Sequence, residues 1–219
     1  MRGRSLVTLV MLPVVMPLAA QAQTARLEFA VGAAVSGASS AGSTRADLLD
    51  SAGNPVTLFE ATHRTSVGVG VDAGLLYRLR PRLALEFSGS WTRPDLETKI
   101  GGDFEGADDT TLSLGMHRFS AEVATVRHFN RRGAAEPYVR AGVGWFRELT
   151  TDRALVDDGL AGHVGAGFKY WVRDGQPGWL GQIALRAEGR LVMRHGGIEL
   201  GDTGLRWSPA ASAGLVIGR

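Results

Sequence analysis

The sequence contains no cysteine. That excludes a disulfide scaffold, a thiolate metal site, a cysteine nucleophile and an N-terminal cysteine that carries lipid. Proline is scarce, 8 in 219 residues, and the 30 glycines follow no Gly-X-Y period, so the chain is not collagen-like. An excess of one charge is also missing, with 24 Lys+Arg against 22 Asp+Glu. No apolar run beyond residue 22 approaches the ~20 residues that a membrane-crossing helix needs. What remains is a chain that is 44% hydrophobic, too apolar for disorder, and long enough for one domain or two small ones.

The N-terminus has its own signature. Arg2 and Arg4 precede an uncharged stretch, Ser5 to Gln21, and the stretch ends in Ala20-Gln21-Ala22. A basic start, a short apolar centre and a small-x-small ending form a secretory signal peptide. Pro13 and Pro17 interrupt the stretch, which argues against a membrane helix. Residues 1–22 are therefore expected to be removed, and residues 23–219 to form the mature domain. Arg2 and Arg4 leave with the segment, so Lys+Arg falls from 24 to 22 and balances the 22 Asp+Glu. A neutral chain has no basic footprint for nucleic acid.

After residue 26 the pattern has a period of two, the signature of strands. Eight segments show it. They are Leu27–Ser36, Val67–Leu79, Leu83–Thr92, Arg118–Thr125, Val139–Phe146, Leu160–Val172, Gln182–Met193 and Ala211–Ile217. Short turns join them at Arg80–Arg82, Asn130–Glu136 and Asp174–Gly178. The intervening connections are longer and polar, the longest being Gly37–Thr65. Short and long connections thus fall at opposite ends of one meander. This predicts an all-β fold, an eight-stranded antiparallel up-and-down transmembrane barrel with short periplasmic turns and long outer loops.

Charge placement separates a membrane barrel from a soluble one. The apolar parity of these segments carries no Asp, Glu, Lys or Arg. The other parity carries five acids, Glu28, Asp72, Glu86, Glu122 and Glu188, and five bases, Arg118, Arg140, Lys169, Arg186 and Arg190. Arg or Lys on a lipid face costs ~2–4 kcal/mol at mid-bilayer, so the uncharged face is expected outside. The charged face, rich in Gly, Ala and Ser, is expected to fill a narrow lumen as an ion-pair network. Aromatics sort to the strand ends. Trp91, Trp145 and Trp207 fall at the outer ends, and Tyr77, Phe129, Tyr170 and Trp179 at the periplasmic ends, as two interfacial belts would require.

Three stretches carry a family resemblance. Pro137-Tyr138-Val139-Arg140-Ala141-Gly142-Val143-Gly144-Trp145 is similar to a Pro-Tyr-x-x-Ala-Gly-x-Gly strand that follows a periplasmic turn. Gly165-Ala166-Gly167-Phe168-Lys169-Tyr170 and Leu185-Arg186-Ala187-Glu188-Gly189-Arg190 are similar to its Gly-x-Gly and charge-alternating strands. On these, residues 27–219 resemble the small outer-membrane β-barrel domain family, which includes the OmpA transmembrane domain, OmpX and OmpW-type proteins. The family's usual terminal aromatic residue has no counterpart in Leu215-Val216-Ile217-Gly218-Arg219. The resemblance implies an outer-membrane location. It implies outer-membrane lipids, lipopolysaccharide, periplasmic chaperones and the barrel-assembly machinery as partners, with an unnamed ligand of the outer loops. It carries over no catalytic residue.

Other constellations add no chemistry. His117 and Ser120 lie three apart, on opposite faces of a strand, so no Ser–His pair forms there. His63, His117, His128, His163 and His195 show no metal-ligand spacing on one strand face. The loop Asp103-Phe104-Glu105-Gly106-Ala107-Asp108-Asp109 lacks the spacing of a calcium loop and reads as solvated acid. Gly68-Val69-Gly70 and Gly142-Val143-Gly144 sit inside strands with no helix following, so they are not nucleotide fingerprints. No catalytic residue, metal or cofactor is expected. The expected role is non-enzymatic, structural or surface-interactive through the loops. The rival readings are a narrow pore or carrier for small apolar solutes and, further off, a lipid-modifying enzyme.

Overall fold

The computed structural model describes residues 27–49, 51–102, 108–174, 181–200 and 204–218. The expected signal peptide, the centre of the acidic loop, most of the turn after Asp174 and Trp179 lie outside the described residues. Among the described residues there are eleven strands and no helix. They are β1 (Leu27–Ser36), β2 (Ser39–Leu49), β3 (Pro55–Thr65), β4 (Gly68–Arg80), β5 (Leu83–Arg93) and β6 (Asp95–Gly101). Then come β7 (Thr110–His128), β8 (Ala135–Thr150), β9 (Val156–Arg173), β10 (Gln182–Gly196) and β11 (Arg206–Gly218).

Eight of the eleven close into a ring, β1-β4-β5-β7-β8-β9-β10-β11 and back to β1, all antiparallel. First and last strands meet in an unbroken register from Glu28↔Gly218 to Ser36↔Ala210. Closure removes every sheet edge at that level, which a strand needs to cross a bilayer without orphaned backbone groups. The apolar parity faces outward: Val31, Val71, Phe87, Val143, Val164, Leu185 and Leu215 are all exposed. In water so large an apolar surface would mark a binding or membrane face.

The remaining three strands correct the sequence expectation of loops. The longest connection, residues 37–65, contains β2 and β3, and the next contains β6. β2, β3, β6 and the start of β7 pair in that order and extend one side of the barrel beyond the long end. The alternation there is obscured for two reasons. Irregularities at Ser40/Gly42 and Ala46/Asp47 shift β2 against β3, so the parity slips. Only the ends of β2 and β3 nearest the barrel keep a buried side, Ala41 and Ala61 among them, and the rest is exposed or half-buried on both faces.

The seam between β1 and β11 depends on glycine. Gly32 and Gly214 pair directly across it. A Cβ at Gly214 would sit 2.2 Å from the Val31 carbonyl oxygen, and one at Gly32 would sit 2.4 Å from that of Ala213. Backbone cannot retreat there without breaking the ladder. Gly214→Val is therefore expected to cost ~1–3 kcal/mol or more through overpacking. The check is the folded fraction after refolding into lipid, read from the mobility difference between unheated and boiled samples in SDS. A wild-type fraction would refute the tight-seam account.

Candidate functional site

The lumen is the candidate site, because alternation sends every inward side chain of eight strands into one narrow space. Its contents are stacked in levels. At the short-turn end, Glu28 accepts from Arg78 Nε at 2.7 Å and from Lys169 Nζ. Arg78 Nη2 also donates to Glu136 at 3.0 Å, and Trp171 Nε1 donates to the same carboxylate at 2.7 Å. His128 Nδ1 lies 3.1 Å from Glu136.

The middle level is a closed cluster. Arg186 reaches both oxygens of Glu86, at 2.8 and 3.1 Å, and Glu188 at 2.6 Å. Glu188 also meets Arg140 at 3.1 Å and Arg190 at 3.2 Å. The Tyr138 hydroxyl donates to Glu188 at 2.7 Å and accepts from Arg186 Nε at 2.7 Å. Above it Glu122 is shared more loosely, with Arg190 at 3.3 Å, His163 at 3.4 Å and Arg140 at 3.6 Å.

Near the long end, Arg118 pairs with Glu148 through Nε at 2.7 Å and Nη2 at 2.6 Å. The other Glu148 oxygen accepts the Ile198 N–H at 2.9 Å. Arg206 Nη1 donates to the Ile198 carbonyl at 3.2 Å, and its Nη2 to that of Gly196. The connection after β10 is thereby folded inward. Gly196 and Gly197 make this possible with φ of 83° and 84°, a conformation other residues adopt at a cost. The fold brings Ile198 onto Ala41, Leu96 and Met116, with Leu155 and Leu200 around them. This apolar cluster caps the lumen. Beside it, the Asp152 carboxylate is held below its usual pKa by hydrogen bonds from the Thr150 hydroxyl and the Ala154 N–H.

Nine of the ten residues expected in the network make ion pairs. Asp72 does not: it is half-buried, has no ion pair among the described residues, and one of its oxygens has no hydrogen-bond partner. The sequence reading missed Arg78, His128, Glu136, Tyr138, Glu148, His163, Arg194 and Arg206. All lie inward, in phase with the ten. The apolar alternation fades near the strand ends, but the inward parity runs on. Extending it past those ends would have found most of them.

Trp145, Trp207, Tyr77, Phe129 and Tyr170 are exposed, at the two ends of the apolar band. Trp91 is half-buried. Its ring stacks on His117 at 5.9 Å and its Nε1 donates to His117 Nδ1 at 3.2 Å. Ser120 faces the lumen instead and bonds Ser90 at 2.7 Å. No group of three metal-ligating side chains occurs among the described residues. Asp109, the described end of the acidic loop, pairs with Lys99 at 2.7 Å.

A family model for the outer membrane protein beta-barrel domain matches residues 7–195. No curated protein matches the sequence. Among solved structures, the outer membrane protein OprG from Pseudomonas aeruginosa superposes with a TM-score of 0.53 at 13% identity. That match covers 89% of this chain and 96% of OprG, and it shows a shared fold. Neisserial surface protein A aligns with a TM-score of 0.48 at 17% identity, covering 86% of this chain and 96% of that one. Ail, the attachment invasion locus protein of Yersinia pestis, aligns at 0.42 and 12%, covering 89% and 99%.

Proposed function

The chain belongs to the outer membrane protein beta-barrel domain family, and from that premise we propose that it is a non-enzymatic, non-conducting barrel that works through its outer surface. One observation carries this reading: ion pairs cross the lumen at the levels of Glu28, Glu86 and Glu122, through Lys169, Arg186 and Arg190, and an apolar cluster covers the long end beyond the Arg118–Glu148 pair. A path for solutes would have to break paired, buried charges, which is costly. This argues against the pore or carrier. The enzymatic rival needs a Ser–His pair, and among the described residues His117 and Ser120 face opposite sides of β7.

The outer surface is where the chain has invested structure. β2, β3 and β6 raise a sheet beyond the belts, laced by Arg64–Glu97 at 2.6 Å and Lys99–Asp109 at 2.7 Å. Leu48 and Leu49 near its tip are 59% and 72% exposed. An ordered platform with apolar groups suits contact with another surface better than a solvated loop does. Lipids and lipopolysaccharide surround the band in this reading, and chaperones with the assembly machinery deliver the chain.

Planar-bilayer recording tests it. The refolded wild-type protein is expected to give no stepwise currents. Reproducible unitary conductance from the wild type would overturn the closed-lumen reading and favour the solute pore.

A further inference from the structure

Between the Glu122 level and the apolar cap the lumen is not filled. A cavity of about 40 Å³ remains there, faced by Arg118, Arg190, Arg194, Glu122, Ser90 and Ser120. Three guanidinium groups thus meet one carboxylate. That carboxylate is already shared among Arg190, Arg140 and His163. The next acid, Glu148, is taken up by Arg118 and the Ile198 N–H.

Arg194 is the group left over. It is 6% exposed, and its hydrogen bond goes to the Ser208 hydroxyl. Among the described residues no carboxylate lies within ion-pair distance of it. Arg118 adds a second guanidinium to the wall, itself paired with Glu148 and 4% exposed. Buried charges are ordinarily paired, because a lone charge forfeits its hydration with no return. Neutral serine hydroxyls and water supply dipoles here but no counter-charge.

The geometry points to a binding site for one small inorganic anion in this chamber, held by Arg194, with Arg118 and Arg190 in its walls. Size sets the class. One water takes ~10–15 Å³ of such a volume, so the chamber holds about three waters, or a single halide-sized ion with a water or two. An organic acid or a sugar phosphate does not fit. The Ser90 and Ser120 hydroxyls, 2.7 Å apart, complete a wall that can turn a proton toward the ion.

Bromide is the probe, because it is halide-sized and scatters anomalously. The full mature chain, refolded in detergent, is melted in sodium bromide and in sodium gluconate at equal ionic strength. The unfolding midpoint is expected to rise with bromide, by about 2–4 °C, and to level off as one site fills. In Arg194→Gln the difference between the two salts is expected to vanish. A wild type with equal midpoints in both salts, or a variant that keeps the full difference, overturns the proposal. Should Arg194→Gln fail to fold, crystals of the wild type grown in bromide decide. An anomalous peak within hydrogen-bond reach of Arg194 supports the site, and its absence refutes it. The outcome is independent of conductance, so a leaky lumen and an empty anion site remain distinguishable.

Discussion

Glu188→Ala is expected to destabilise the folded barrel by ~3–5 kcal/mol, the cost of breaking a buried ion pair by removing one partner. Its side chain is 0% exposed, and three arginines and a tyrosine converge on it. Removal leaves Arg140 facing Glu86 at 3.5 Å and the weakly shared Glu122. Arg186 keeps Glu86, so the damage concentrates on Arg140 and Arg190. Truncation at Glu122 should cost less, since its partners stand at 3.3 Å or beyond and water reaches its 9% exposed side chain. The measurement is denaturant unfolding in lipid vesicles, followed by tryptophan fluorescence. Glu188→Gln separates the two contributions, because it keeps an acceptor for Tyr138 and loses the charge. A Glu188→Ala midpoint equal to wild type would show that the middle cluster does not hold the lumen together. Conductance in the same variant reports whether the cluster is also the plug.

Val164→Arg is expected to cost ~2–4 kcal/mol of membrane-inserted stability, because it sets a guanidinium against the bilayer centre. Val164 is 57% exposed and lies on β9 between Tyr170 and Leu160, which is level with Trp145. That places it between the two aromatic belts. Val156→Arg is the control. It is 48% exposed on the same strand and pairs with Leu149, beyond Trp145 toward the long end. There an arginine meets water and headgroups, so little loss is expected. Refolding yield into vesicles, scored by resistance to SDS before boiling, compares the two. Equal yields would mean that the apolar face does not meet lipid.

Much of the barrel was legible because the bilayer imposes a strict rule on each strand. Leu27–Ser36 matches β1 end for end, and Leu83–Thr92 stops one residue short of β5. The same rule separated inward Glu28, Glu86 and Arg186 from outward Phe29, Phe87 and Leu185. It failed where the bilayer ends. Residues 39–49 and 55–65 form strands with irregular pairing whose buried side is confined to the ends nearest the barrel, Ala41 and Ala61 among them, so no sustained alternation announced them.

Which residues face inward is written in the chain, since that depends on position along one strand and on a period of two. So is the near-equal number of acids and bases that share the lumen. Who pairs with whom follows from the closed ring alone. Glu28 and Lys169 lie 141 residues apart on β1 and β9, strands that are not neighbours in the ring. Their contact exists because the ring closes to a diameter that long side chains can span. Closure likewise folded residues 196–200 back over the mouth, and it left Arg194 buried beside an unfilled chamber. Alternation is a local property of the chain. Distance across a lumen is fixed only by the number of strands, their tilt and their register together.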